Sequence, residues 1–128
     1  MRFPCEITVR EFLPLLRSLM ARRLIEEHGF TQTTTALLLG VSQASVNYYL
    51  SLKRGQHAKL AAEAENIEKM ADKMAKGLAE GELTQLEVLR EICAMCCHLR
   101  ERGSICRLHE AMMPALKGQD CKACNVVR

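Results

Sequence analysis

Five of the chain's seven cysteines stand at spacings that bind metals. Cys93-x-x-Cys96 puts two thiols one helical turn apart, so both sulfurs can face one metal. Cys106 follows, with His109 three residues on, and Cys121-x-x-Cys124 completes the set. Soft donors in this pattern suit either a closed four-ligand zinc or an iron–sulfur cluster held by four thiolates. Arg100, Arg102, Arg107 and Lys122 would ease the gathering of several thiolates and suit an anionic cluster. A plainer account makes Cys93 and Cys96 small apolar residues on the inner face of a helix, continuing from Leu86 and Leu89. It leaves Cys106, Cys121 and Cys124 unexplained. His109 is a zinc ligand beside Cys106 or a coincidence, and Cys97 is a spare thiol. Cys5 is a buried thiol, a redox thiol or a ligand from the N-terminal arm.

A second constellation lies in the run from Gln32 to Leu50. Two short helices that cross steeply need a small residue where they approach, and Ala36 supplies it. Gly40, four positions later, allows the positive φ of the turn. Val46 and Tyr49 stand three apart to bury one face of the second helix, with Leu39, Val41 and Leu50 completing a small core. This spacing is that of a helix-turn-helix. Ser42, Gln43, Ala44, Ser45, Asn47 and Tyr48 are left on the N-terminal turn and outer face. Short amides and hydroxyls there pair with base edges in a major groove, and Ala44 can meet a thymine methyl. Gln32 is placed to fix a phosphate at a helix N-terminus. Lys53 and Arg54 follow the second helix and would neutralise backbone charge. The competing account is an ordinary helical hairpin used for protein contacts.

The elements that must carry these groups read as helices throughout. Pro14 is expected in the first turn of helix 1, with an apolar stripe of Leu15, Leu16, Leu19, Met20 and Leu24, and Gly29 closing the helix. Thr31 caps 32–39, Ser42 caps 43–51, and Gly55 ends that unit. A longer helix is expected over 57–80. Its Leu60, Ala64, Ile67, Ala71, Met74 and Leu78 follow a heptad spacing that fits either packing on its own domain or a dimer seam. Thr84-x-x-Glu87 opens a helix over 85–99, and from Gly103 the chain is expected to be short, irregular and Cys-rich. The predicted fold is all-α: a helix-turn-helix unit (1–56), a linking or dimerisation helix (57–83) and a metal-binding segment (84–128).

Composition agrees. Aromatics are 4% with no Trp, Gly and Pro are sparse, and 48% of residues are hydrophobic, so the core must be aliphatic and helical. No apolar stretch approaches the length needed to span a bilayer, and the start reaches Glu6 without the apolar core of a secretory signal. A cytoplasmic, reducing setting is expected, where so many cysteines serve as ligands or redox thiols rather than disulfides. Residues 1–60 carry 8 Lys/Arg against 4 Asp/Glu, residues 61–92 carry 4 against 8, and residues 93–128 carry 6 against 3. Basic ends around an acidic middle suit DNA contact through the N-terminal part. Without a Gly-rich phosphate loop, a nucleophile–base motif or the βαβ setting of a thiol oxidoreductase, no enzyme and no small-molecule substrate are expected.

Pro4-Cys5-Glu6, Leu13-Pro14-x-x-Arg17 and a helix-turn-helix ending in Lys53-Arg54-Gly55 resemble archaeal regulators of the XRE-like helix-turn-helix class. The tail Ile92-Cys93-x-x-Cys96, Arg100, Gly103, Cys106, His109 is similar to a branch described as iron–sulfur-containing transcription regulators. The resemblance spans nearly the whole chain. It implies that Cys93, Cys96 and Cys106 are ligands, with Cys121 or Cys124 completing a cluster, 4Fe-4S or 2Fe-2S. Relatives usually carry Ser after the buried Val where this chain has Asn47, so its target sequence is expected to differ. The expectation is a homodimeric, double-stranded-DNA-binding regulator that senses redox or iron status. The alternatives are a regulator with a purely structural zinc and a non-enzymatic interaction scaffold.

Overall fold

The computed structural model describes residues 1–52 and 58–126, and among these it contains helices and turns but no strand. The chain opens with α1 (Pro4–Ile7), passes through a π-helical turn (Thr8–Phe12) and continues as α2 (Leu13–Glu26). Pro14 stands in the first turn of α2, as expected, but α2 is preceded without a break by α1 and the π-helical turn, so the helical rod begins earlier. Pro4 occupies the first turn of α1, and the wide turn ahead of Pro14 relieves the clash its ring would make with the carbonyl four residues back. Then follow α3 (Gln32–Leu39), α4 (Gln43–Ser51), a 3-10 turn (Ala58–Glu63), α5 (Ala64–Ala79), α6 (Gln85–Glu101), α7 (Cys106–Met112), a 3-10 turn (Pro114–Leu116) and α8 (Ala123–Val126). The helix expected over 57–80 starts later, because Leu60 has φ −120° and ψ 30°, outside helical geometry. The tail beyond Gly103 is more helical than expected: α7 forms because Ile105 is buried and Leu108 packs on the same core.

Packing begins with the α1–α2 rod. Ile7, Phe12, Leu16, Met20 and Leu24 line its buried side, and the first four join Ile67, Ala71, Met74 and Leu78 of α5 in one core. Each fully buried Leu, Ile, Met or Phe contributes about 1.5–3 kcal/mol relative to exposure. The heptad stripe of α5 is thus spent inside its own chain and is not a dimer seam. Arg23 of α2 reinforces the contact by pairing with Glu68 and Asp72 of α5. Burial works against its charge, but the two carboxylates outweigh it and hold the guanidinium firmly protonated.

Two polar devices fix where α6 leaves this core. Glu82 and Leu83 donate their backbone N–H groups to the Gly77 carbonyl at 2.9 and 3.0 Å, folding the α5–α6 turn back on α5. At the other end of α6, the buried carboxylate of Glu63 accepts from Asn66 Nδ2 at 2.9 Å and from Ser104 Oγ at 2.8 Å, with Arg102 at 3.4 Å. The Asn66 bond is the main cause of its lowered pKa. Burial opposes it, and Ser104, Arg102 and His98 add to the lowering. A carboxylate with a depressed folded-state pKa stabilises fully above its unfolded value, and the contribution is lost as pH falls through the folded one. Glu63→Gln should therefore cost about 1.5 kcal/mol at neutral pH. The cost should shrink as pH drops below the ordinary carboxylate range, which urea unfolding of both proteins at several pH values will measure.

Candidate functional site

The α2–α3–α4 unit is built from local signals. Thr31 Oγ1 accepts from Thr34 N at 3.1 Å to start α3, and Ser42 Oγ accepts from Ser45 N at 3.1 Å to start α4. Between them Gly40 sits at φ 66°, ψ 34°, in left-handed geometry that a side chain would strain. Ala36, Val46 and Tyr49 are buried where the helices meet, while Leu39, Val41 and Leu50 are half-buried at the edge. Two side chains of α2 hold the C-terminal end of α4. Ser18 Oγ donates to the Tyr49 carbonyl at 3.0 Å, and Arg22 donates to the carbonyls of Leu50 and Leu52. No local signal announces these bonds, which join residues about 30 positions apart. They also turn Arg22 inward, as ion pairing does Arg23, so the N-terminal excess of positive charge is partly consumed by the fold.

Gln43, Ala44, Asn47 and Tyr48 are exposed on one side of α4. Gln43 and Asn47 form one ridge and Ala44 and Tyr48 the next, each pair one turn apart. Ser42 is exposed and Ser45 half-buried, and their hydroxyls lie 3.0 Å apart, engaged with each other. Gln32 is half-buried at the start of α3. Lys53, Arg54 and Gly55 lie outside the described residues.

Cys93, Cys96 and Cys97 lie along the middle and C-terminal half of α6. Its inner face is Val88, Ile92, Met95 and Leu99, whereas Leu86 and Leu89 are exposed at 55% and 57%. Cys93 lies on that outer side and is exposed, so the plain inner-face account fails for it. Cys96 is half-buried against the core. Cys106 opens α7, its sulfur lying over Gly103, and α8, which carries Cys124, packs against α6. Cys121 and Cys97 are exposed, and so is Cys5, which removes the buried-thiol option for it.

One guanidinium organises this end of the molecule. Arg100 Nη1 donates to Cys5 Sγ at 3.6 Å, and Nη2 to Cys97 Sγ at 3.4 Å. Burial pushes the Cys96 thiol up, and Cys93 and Cys97 push the same way; Arg100 opposes them and Cys5 adds to the push. Burial likewise raises Cys124, helped by Cys106, Cys121 and Cys5 and opposed by Arg100, and it raises Cys106 with help from Cys121 and Glu110. His109 Nε2 donates to the Arg2 carbonyl at 2.5 Å, which commits that nitrogen to the backbone rather than to a metal.

Among the described residues, no three Cys, His, Asp or Glu side chains converge tightly enough to hold a single metal ion. Arg100 stands between sulfurs carried by α1 and α6, and its charge is also felt by Cys124 of α8. A polynuclear cluster separates its thiolates more widely than one ion does. A guanidinium beside the sulfurs would repel a divalent cation but can donate hydrogen bonds to the sulfurs of an anionic cluster.

A polar link joins the two regions. Gln85 Nε2, at the start of α6, donates to the carbonyls of Leu37 and Leu38 at 2.9 and 3.1 Å, capping the end of α3. Between α2, the end of α3 and α6 runs an apolar groove of about 410 Å³, with Cys93 and Cys96 in its lining. Among the described residues no helix is long and apolar enough to cross a membrane. No protein-family model, curated protein or solved structure matches the chain.

Proposed function

We propose that this chain is a sequence-specific DNA-binding transcription regulator of the XRE-like helix-turn-helix class, carrying an iron–sulfur cluster on its C-terminal cysteines. The observation that carries the DNA-binding part is α4. Its inner residues, Val46 and Tyr49, are buried, its C-terminal end is tied to α2 by Ser18 and Arg22, and its outer face presents Gln43, Ala44, Asn47 and Tyr48. A helix held this rigidly and faced with short amides can lie in a major groove and read base edges. Gln32, Ser42 and Ser45 sit near the helix starts that would face the phosphates, with Lys53 and Arg54 adding charge.

In this reading Cys93, Cys96, Cys106, Cys121 and Cys124 supply the thiolates, and the cluster provides a site that gains or loses an electron or dissolves as iron becomes scarce. Arg100 offsets the thiolate charge. Gln85 ties the start of the cysteine helix to the end of α3, so a change in the packing of α6 reaches the DNA-reading unit. Because the α5 stripe is buried, the homodimer forms instead through α6, whose Leu86 and Leu89 stand exposed beside the groove. Two recognition helices would then address half-sites about 34 Å apart.

Selection of bound duplexes from a random pool, followed by binding measurements over a range of salt, tests the proposal. Enrichment of one motif is expected, with affinity falling as log salt rises in proportion to the phosphates contacted. Absence of any enriched motif or salt dependence would overturn it and favour a protein-binding scaffold.

A further inference from the structure

We propose that the groove between α2, the end of α3 and α6 binds a small amphipathic carboxylate, an unbranched alkanoate of medium length, and that Arg17 takes its head. The motif Leu13-Pro14-x-x-Arg17 has no part in the DNA-reading face or the thiol site. Yet Leu13 and Arg17, one turn apart on α2, both line this groove. Its volume of about 410 Å³ is that of a small-molecule site. Apart from Arg17, Gln85 and two thiols, apolar side chains and Gly40 make up its lining.

Arg17 gives the groove a charge preference. It is the only charged residue in the lining among the described residues. The other two arginines of α2 are spent in the fold, Arg22 on the carbonyls of Leu50 and Leu52 and Arg23 on Glu68 and Asp72. Arg17 is half-buried and has no carboxylate or carbonyl partner among the described residues. The amide nitrogen of Gln85 is already committed to Leu37 and Leu38. A guanidinium without an acceptor beside apolar walls suits a ligand that brings a carboxylate on an apolar tail. Its fork pairs with the two oxygens, and the tail takes the apolar walls out of water. One guanidinium matches one negative charge, which favours a carboxylate over a dianionic phosphate. An occupant would touch α2, the end of α3 and α6 at once, and so bear on how α6 packs against the unit that carries α4. Cys93 and Cys96 enter only as walls, so the site does not depend on a cluster.

Isothermal titration calorimetry of the reduced, metal-free full-length chain with hexanoate, octanoate, decanoate and 1-octanol tests the site. Wild type should bind the acids saturably, with affinity rising up to about fourfold per added methylene, and should bind 1-octanol at least about tenfold more weakly than octanoate. Arg17→Met should weaken octanoate at least about tenfold and leave 1-octanol unchanged, with circular dichroism confirming the fold. Arg17→Lys, which keeps the charge and loses the fork, should fall between the two. Octanoate bound equally by wild type and Arg17→Met would overturn the assignment, as would wild type binding none of the acids. If wild type binds no acid and Leu89→Glu converts a dimer to a monomer, the groove belongs to a second copy of the chain and the proposal fails.

Discussion

Replacing Gln43 and Asn47 together by Ala should weaken binding to the selected operator roughly 30-fold to 20 000-fold while leaving non-specific binding almost unchanged. Each amide can form a bidentate pair with a base edge worth about 1–3 kcal/mol, and the two stand on one exposed ridge of α4. Phosphate contacts, which carry no sequence information, are untouched by the change. Stability should stay within about 0.5 kcal/mol, because both side chains are exposed and Ala suits a helix interior. Fluorescence anisotropy with operator and scrambled duplexes separates the two affinities. A double variant that binds the operator like wild type would show that α4 does not read bases.

Gly77→Val should destabilise the fold by about 3 kcal/mol, although Gly is normally the poorest residue in a helix after Pro. A Cβ at position 77 would fall 2.5 Å from Leu83 Cγ and 3.0 Å from Leu83 Cβ, where the α5–α6 turn folds back on α5. Leu83 cannot simply rotate away, since its own backbone N–H is bound to the Gly77 carbonyl and its side chain packs on the core. Gly77→Ala should show a smaller loss of about 1 kcal/mol, with overpacking partly offset by helix propensity. Adding Leu83→Ala should recover part of it, a coupling that urea unfolding of the double-mutant cycle measures. Additive losses would mean the two residues do not press on each other. Because this turn sets the direction of α6, the same substitution should also disturb the cysteines at the far end of that helix.

How legible each part was follows from how local its cause is. The boundaries of α3 and α4 were readable to the residue, because Thr31, Gly40 and Ser42 are caps and a turn that act within four positions. The start of the first helix was not. Ile7 and Phe12 are both buried but stand five apart, a spacing produced by the π-helical turn and invisible to a search at three and four. The stripe along α5 was readable as a stripe, yet periodicity cannot say what covers it, and α2 of the same chain does. Leu86 and Leu89 were misplaced for a related reason. The apolar face of α6 runs through Val88, Ile92, Met95 and Leu99, one step around the helix.

The cysteine pairs were likewise visible from spacing alone, and Arg100 was noticed among several nearby cations. What spacing could not give was the meeting of Cys5, Arg100 and Cys97, because it depends on α1 packing against α7. The buried Glu63 was hidden for the same reason, its partners Ser104 and Arg102 lying about 40 residues downstream.

The proposed regulator works only if the thiol site and the recognition helix are coupled. The most direct test is the affinity of full-length protein for its selected operator, measured without oxygen at fixed salt, for the iron-loaded chain and the same preparation stripped by chelator. Coupling through Gln85 predicts a difference of at least about fivefold, the low end of what allosteric coupling supplies. Equal affinities for the loaded and stripped protein would contradict it and leave a DNA-binding unit joined to an independent metal site.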